Sequence, residues 1–511
     1  MSKLTHYCPS VGICGNIANM KKKNEFEMDR KTFIGGLAAT FGGVILPVEA
    51  FGGETKPLMR FGVASDVHIL RGWKQEHYLE KALRWFDAQK ADAVLFSGDM
   101  AHTGRVSELE SLAAVWEKVF PNCTAADGRR VERMLVTGNH EISQWPGLWD
   151  RLSDEELKKI RFDYDREHMN ATWRRLFGED YELIWKREVK GVTFIGAQYP
   201  VSRVSKSYHN RWHQPDYRRF FAEHAAELRQ DKPVIFFQHG HPAHTCYGEE
   251  ASPAWPDMAM HEVLADFPNL VAISGHSHNS PCDERSVWQG SFTSIGAGSV
   301  VEAGPCYSRI CYDNGGAPYD PRYKKQRMKC PPQVGNDGRA CLLVEVYADH
   351  LVVKRRSLAW DESLGPDWAI PVPARPGGEY DFVRRAAMRP APQFAPTAKA
   401  VAEICTKEPA STGPGLKGKP VVRVSFPCAE TVKGTRVFDY VVKVFVDGRE
   451  VMRSMVLSYG YYLPEPRSHV EGECILGQHE LPKGKDILFT VTPRDCYGVA
   501  GAALASNTIR L

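Results

Sequence analysis

Five short apolar runs each stop at a residue able to ligate a metal, and no other feature of the chain restricts its fold so tightly. They end in Ser65-Asp66-Val67-His68, Ser97-Gly98-Asp99, Thr137-Gly138-Asn139-His140-Glu141, Gln238-His239-Gly240-His241 and Gly275-His276-Ser277-His278. Strand C-termini of an open α/β sheet converge on one crevice, so residues remote in sequence can meet there. One Asp or His at a strand end is ordinarily a cap, a turn or a surface residue; five in series are not. Residues two apart in an extended segment point the same way, which pairs Asp66 with His68 and His276 with His278. Gly98, Gly138 and Gly275 suit tight turns that carry a ligand outward.

The elements between these motifs alternate. Strands are expected at Met59 to Ser65, Ala93 to Ser97, Arg133 to Thr137, Val192 to Ala197, Val234 to Gln238 and Val271 to Ser274. Leu79, Ala82, Leu83 and Phe86 form the i, i+3, i+4, i+7 stripe of a helix on a core, and a second helix is expected at Asp216 to Leu228. Shorter β-rich runs at Phe292 to Ile295, Ala340 to Tyr347 and Leu351 to Arg355 close a layered α/β unit. Residues 371–420 hold nine of the 33 prolines and read as a linker. Beyond them Val421 to Phe426, Phe438 to Val446 turning at Asp447-Gly448, and Ile487 to Thr492 are spaced like strands of a small all-β sandwich. Gly413 to Lys419 imitates a phosphate-binding loop, but Pro420 stands where that loop needs Ser or Thr.

The ligand types, carboxylate, imidazole and amide oxygen without thiolate, suit Mn, Zn or Fe rather than a structural zinc cluster. The motifs Asp-x-His, Gly-Asp, Gly-Asn-His-Glu, His and Gly-His-x-His, complete and in order from Asp66 to His278, resemble those of the calcineurin-like metallophosphoesterases. The likeness in strand order runs to about residue 370. It implies a catalytic domain over 51–370, a layered β-sandwich flanked by helices, with a small all-β domain at 421–511 that resembles a fibronectin type III module in pattern.

Carried over by position, the resemblance gives one metal Asp66, His68 and His278, and the other Asn139, His239 and His276, with Asp99 bridging. His140 then binds phosphate and protonates the leaving oxygen. Two such ions ~4 Å apart lower the pKa of a shared water toward ~7, and the bridging hydroxide attacks a phosphomonoester or phosphodiester. No covalent phosphoenzyme is expected. His102 stands where some phosphatases of this group have an Asp that orients the catalytic His, which leaves the partner of His140 open. Purple acid phosphatases have a Tyr there and begin Asp-x-Gly; this chain has neither. His239 directly follows its strand and is preferred as ligand, with His241 as the alternative.

Charge excludes a nucleic-acid scaffold. Six of the 65 Lys/Arg and four of the 62 Asp/Glu fall in residues 1–50, leaving 59 against 58 and no basic excess. The front itself reads as an address, with Lys21 to Lys23, Arg30 and Lys31 ahead of an uncharged run from Phe33 to Val48. That run is short and glycine-rich for a spanning helix, so a removable signal is preferred and no transmembrane anchor remains after it. Asp29 to Ile34 resembles a twin-arginine signal with Lys in the second basic place, and Met28 is a candidate start. A periplasmic or secreted location follows. Thirteen cysteines, two of them ahead of the signal, leave an odd eleven. Cys282, Cys306, Cys311 and Cys330 crowd one loop, where disulfides and buried thiols are equally expected.

The substrate is expected to be a small organic phosphoester. Glu141 to Lys190 and Pro305 to Lys329 read as insertions able to wall the crevice. Tyr307, Arg309, Tyr319, Arg322, Tyr323, Lys324, Trp145, Trp149 and His102 are available there, with a solvated loop as the competing reading. The rival function is a non-catalytic scaffold that uses its C-terminal sandwich to bind a surface polymer; the unbroken ligand set argues against it.

Overall fold

Strands that are apolar on both faces belong in the middle of a parallel sheet covered on both sides. Met59–Ala64 (β1), Ala93–Ser97 (β2) and Glu132–Val136 (β3) are of this kind, and they pair in parallel. The computed structural model describes residues 56–70, 75–142, 151–199, 214–247, 258–301, 328–329, 338–406, 416, 418–430, 436–464 and 471–511. The expected export signal, Cys306, Cys311, Cys330, Trp145, Trp149, the aromatic and basic residues between Pro305 and Lys329, and most of Gly413 to Lys419 lie outside them.

A second sheet is built from Ile184–Val189 (β4), Val192–Ala197 (β5), Val234–Phe237 (β6), Leu270–Ser274 (β7), Val287–Gln289 (β8) and Thr293–Gly296 (β9), in the order β4-β5-β6-β7-β9-β8. Met328–Lys329 (β10) then joins the C-terminal part of the chain. Ala340–Val346 (β11), His350–Ser357 (β12) and Trp368–Pro371 (β13) return to the first sheet, whose order is β13-β12-β11-β1-β2-β3. The two sheets face each other across a core that holds Phe61, Leu95 and Val136 from one and Phe194, Phe237 and Ile273 from the other.

Helices close both outer faces. Gln75–Ala88 (α1) buries Leu79, Ala82, Leu83 and Phe86, the stripe expected from the sequence. Complete burial of a Leu or Phe side chain contributes about 1.5–3 kcal/mol. Val106–Val119 (α2) packs beside it through Leu112 and Trp116. Asp154–Ile160 (α3) and Arg166–Phe177 (α4) follow, and α4 places Met169, Trp173 and Phe177 in the same core. Gln214–Leu228 (α5) and Met258–Leu264 (α6) cover the second sheet through Tyr217, Phe221, Met260 and Leu264. The result is the expected layered β-sandwich flanked by helices. One expectation is corrected: much of Glu141 to Lys190 is scaffold rather than insertion, because α4 seals the first sheet and β4 edges the second.

Past β13 the segment expected as linker carries structure. Phe382–Met388 (α7) starts at Asp381, whose side chain accepts the Arg384 N–H, and Val401–Cys405 (β14) pairs with Val421–Phe426 (β15). The strand falls in a proline-free stretch at a sheet edge, where Val401 and Ile404 remain exposed. Val437–Val446 (β16) and Arg449–Leu457 (β17) form a hairpin through Asp447 (φ 51°) and Gly448 (φ 75°), the doubly left-handed turn that Asp-Gly favours. With Gly472–Gly477 (β18), Asp486–Asp495 (β19), Leu504–Ala505 (β20) and Ile509–Arg510 (β21) they make two facing sheets, β14-β15-β18 and β10-β17-β16-β19-β20, over a core of Val424, Tyr440, Val444 and Phe489. All described cysteines are free thiols, Cys282 among them. Among the described residues no helix is long and apolar enough to cross a membrane.

The C-terminal sandwich is anchored to the two N-terminal sheets by a buried arginine. Arg285, 1% exposed, makes two hydrogen bonds to Asp283 (2.9 and 2.6 Å) while its guanidinium covers the rings of Tyr247 (3.4 Å) and Phe438 (4.7 Å). Arg285→Ala would leave the Asp283 charge buried, at a cost of about 3–5 kcal/mol. The expected result is a loss of that size in the free energy of urea unfolding, with Asp283→Asn/Arg285→Met recovering much of it.

Candidate metal centre

Five of the seven expected ligands occupy the left-handed backbone region: Asp66 (φ 51°), His68 (φ 47°), Asp99 (φ 50°), His276 (φ 68°) and His278 (φ 52°). Such positions cost on the order of 1–3 kcal/mol each and persist where surrounding structure fixes them. Here Asp66 N donates to Gly98 O (3.1 Å) and His68 N to Asp99 O (2.9 Å). His276 N donates to both Asp66 carboxylate oxygens (3.1 and 3.0 Å), and Ser65 Oγ donates to Asp66 Oδ2 (2.5 Å). The extended geometry expected to align Asp66 with His68 is therefore absent; the turns after β1, β2 and β7 aim these side chains instead.

The residues gather in two groups. In the first, His278 Nε2 lies 3.1 Å from Asp66 Oδ1 and 3.1 Å from His68 Nε2. In the second, His239 Nε2 lies 3.0 Å from Asp99 Oδ2 and 3.0 Å from His276 Nδ1. Asp99 stands between them, since its Oδ2 is also 3.6 Å from His68 Nε2. The first sheet supplies Asp66, His68 and Asp99 and the second His239, His276 and His278, so the site sits on the seam between the sheets.

Asn139 is buried, and its Oδ1 has no hydrogen-bond partner. An unmet amide oxygen in the interior costs about 1–3 kcal/mol unless something satisfies it. Facing imidazole nitrogens at 3.0–3.1 Å likewise need a proton or a cation to share their lone pairs. Together with the carboxylates, this donor chemistry fits two ions of the Mn, Zn or Fe kind. Burial holds His68 and His276 well below the usual imidazole range, in the neutral form that ligates. Burial opposes ionisation of Asp99, but His239, His140 and His68 keep its carboxyl well below the usual range. Burial also opposes protonation of His239, yet Asp99 raises it to about 9.

His140 is tied to the same carboxylate. Its backbone N–H donates to Asp99 Oδ1 (2.8 Å) and its Nε2 lies 3.9 Å from Asp99 Oδ2. The partner left open by the sequence is a backbone group: Nδ1 lies 2.6 Å from the carbonyl oxygen of His102. That contact makes Nδ1 the N–H and turns Nε2 to the site. The His102 ring is 5.4 Å from that of His68 and 5.3 Å from that of His140. His241 is outside both groups; its Nε2 meets Ser277 Oγ (3.0 Å), and burial lowers it to about 4.

The glycines serve close approach more than turning. Gly98 is left-handed (φ 94°), and any Cβ on it would fall on the His239 ring. At Gly138 a Cβ would occupy the place of the Asp99 carboxylate, and at Gly275 that of Ser65 Oγ and Asp66 Oδ2. Sequence reading gave Glu141 no role, yet it ties the loops together. Its buried carboxyl accepts N–H groups from Asp99 (3.0 Å), Ala101 (2.6 Å) and Gly138 (2.6 Å). Burial and the Asp99 charge push it up to about 8, against the pull of the Gly138 and Ala101 N–H groups. Glu141→Gln sets an NH₂ against a backbone N–H, and metal affinity is expected to fall roughly 10–100-fold. Metal titration of the folded variant, checked by circular dichroism, measures it.

Residues 59–280 match the family model described as calcineurin-like phosphoesterase. Among solved structures, the chain is similar to a dimetal phosphatase from Danio rerio at 14% identity, over 62% of this chain and 99% of that one (TM-score 0.38). It is also similar to GAP50, the anchor in the inner membrane complex of Plasmodium, at 12% identity over 70% and 99% (TM-score 0.37). Purple acid phosphatase PPD1 from yellow lupin matches at 12% over 61% and 53% (TM-score 0.36). No curated protein matches the chain.

Proposed function

We propose, from the match of residues 59–280 to the calcineurin-like phosphoesterase family model, that the protein is an exported binuclear-metal hydrolase of small organic phosphomonoesters or phosphodiesters. The observation that supports this reading is the pair of donor groups, Asp66-His68-His278 and Asp99-His239-His276, with Asp99 Oδ2 also 3.6 Å from His68 Nε2, together with the unmet buried oxygen of Asn139. Asp66, His68 and His278 would hold one ion, Asn139, His239 and His276 the other, and Asp99 both. Bound there, such ions supply Lewis acidity and an activated water at neutral pH.

The chain's own part is positioning and proton transfer. Burial keeps bulk water from the Asp66 and Asp99 carboxylates, which strengthens their hold on a cation. His140, pinned through Nδ1, offers Nε2 to a phosphoryl oxygen and donates a proton to the departing alcohol. The C-terminal sandwich enters as a fibronectin type III-like module by strand pattern alone, and the basic, apolar, Gly/Pro-ended front as a signal for export to the periplasm or outside.

Assay of full-length protein on para-nitrophenyl phosphate and on its bis-ester tests the reading. Hydrolysis of at least one is expected, lost on chelation and restored by Mn, Zn or Fe. Hydrolysis of neither with any metal would overturn it. Preference between the two esters separates monoesterase from diesterase.

A further inference from the structure

The three candidate ligands of the second sheet ride on two loops, residues 238–247 after β6 and 275–286 after β7. The second loop carries one 3-10 turn, Glu284–Ser286, and its His276 and His278 hold left-handed backbone. Segments of this kind open at low free-energy cost unless contacts from elsewhere fix them. The loops are first sewn to each other. Tyr247 N donates to Arg285 O (3.0 Å), Asn279 Nδ2 donates to Tyr247 O (2.8 Å), and His241 Nε2 meets Ser277 Oγ (3.0 Å). Ser277 lies between the two histidines and Asn279 directly follows the second, so the junction of the loops sets where both imidazoles stand.

That junction is gripped from the C-terminal part of the chain. Phe438, buried on β16, lies under the Arg285 guanidinium and meets the Tyr247 ring edge-on (6.4 Å, 89°). From α7, Arg385 Nη1 donates to Glu284 O (2.8 Å), and just past that helix Arg389 pairs with the Glu284 carboxylate. A planar guanidinium stacked on aromatic rings, with its donors spent on Asp283, transmits position better than a flexible apolar contact.

We propose that the C-terminal sandwich is a functional part of the candidate metal centre: Phe438, through Arg285 and Tyr247, and Arg389, through Glu284, are positioning residues that hold the loop of His276 and His278 in its ligating shape. The inference rests on the reading of those histidines as ligands.

Calorimetric titration of the full-length chain with Mn tests it. Phe438→Leu keeps an apolar side chain and removes the ring; Mn affinity should fall about tenfold or more, while kcat on para-nitrophenyl phosphate returns to the wild-type value at saturating Mn. Val444→Ala, on the same strand but in the core of the sandwich, should lower stability to urea comparably and bind Mn as the wild type does. Unchanged affinity in Phe438→Leu would overturn the proposal, as would an equal loss in Val444→Ala. Hydrogen exchange of the metal-free chain reads the same grip without any ion. Amides 276–286 should exchange faster in Phe438→Leu than in the wild type or Val444→Ala, and exchange that does not change would also overturn the positioning role. A wild type that takes up no Mn yet shows this pattern of exchange would count against the hydrolase reading and leave the grip established. Arg389→Gln, which releases Glu284, gives the same comparisons if Phe438→Leu fails to fold.

Discussion

Asp99→Ala is expected to lose about 10³-fold or more in kcat/KM and to bind fewer than two ions per chain. The carboxylate lies 3.0 Å from His239 Nε2, 3.6 Å from His68 Nε2 and 3.9 Å from His140 Nε2, so one truncation removes the group common to both donor sets. Several kcal/mol of transition-state charge stabilisation then disappear, and each 1.36 kcal/mol is tenfold in rate. His140 also loses the acceptor of its backbone N–H. Elemental analysis together with steady-state kinetics checks both halves. Full occupancy and unchanged turnover in the variant would remove Asp99 from the proposed centre.

His140→Ala should behave differently, keeping its metals while kcat falls about 10²–10⁴-fold, the range of a lost general acid. The imidazole lies beside Asp99 without belonging to either donor group proposed for the ions, and its Nδ1 is occupied by the His102 carbonyl. The deficit should shrink for a para-nitrophenyl ester, whose leaving oxygen needs little proton assistance, and be largest for an alkyl ester. Equal losses on both esters would mean that His140 binds phosphate without protonating the departing oxygen. His102→Ala retains the carbonyl and is expected to have a far smaller effect.

The strands were legible because their apolar runs are unbroken and bounded by glycine; Ala93–Ser97 and Val192–Ala197 coincide with expectation at both ends. The helical stripe of α1 was equally plain, since all four of its core residues are buried. The amphipathic face of α4 was present too, as Met169, Trp173 and Phe177, but lay in a segment taken for an insertion. Strand β14 escaped because it is an exposed edge amid prolines, with little alternation to see. At the site, residue types identify donors but not backbone conformation. Asp66 and His68 come together through left-handed turns rather than extension, which only coordinates can reveal. Glu141 and the His102 carbonyl act through main-chain hydrogen bonds, and these leave no signature in side-chain chemistry.

The placement of the donors on the seam has a consequence for the order of events in the life of the chain. During synthesis Asp66, His68, Asp99 and Asn139 emerge well before His239, His276 and His278, so the nascent polypeptide holds only half a cage. Firm capture of the proposed cations would have to wait until both sheets exist and have closed on each other. Loading of the proposed ions would thus be the last step of maturation, and a chain moved across a barrier while still unfolded would have to collect them at the destination.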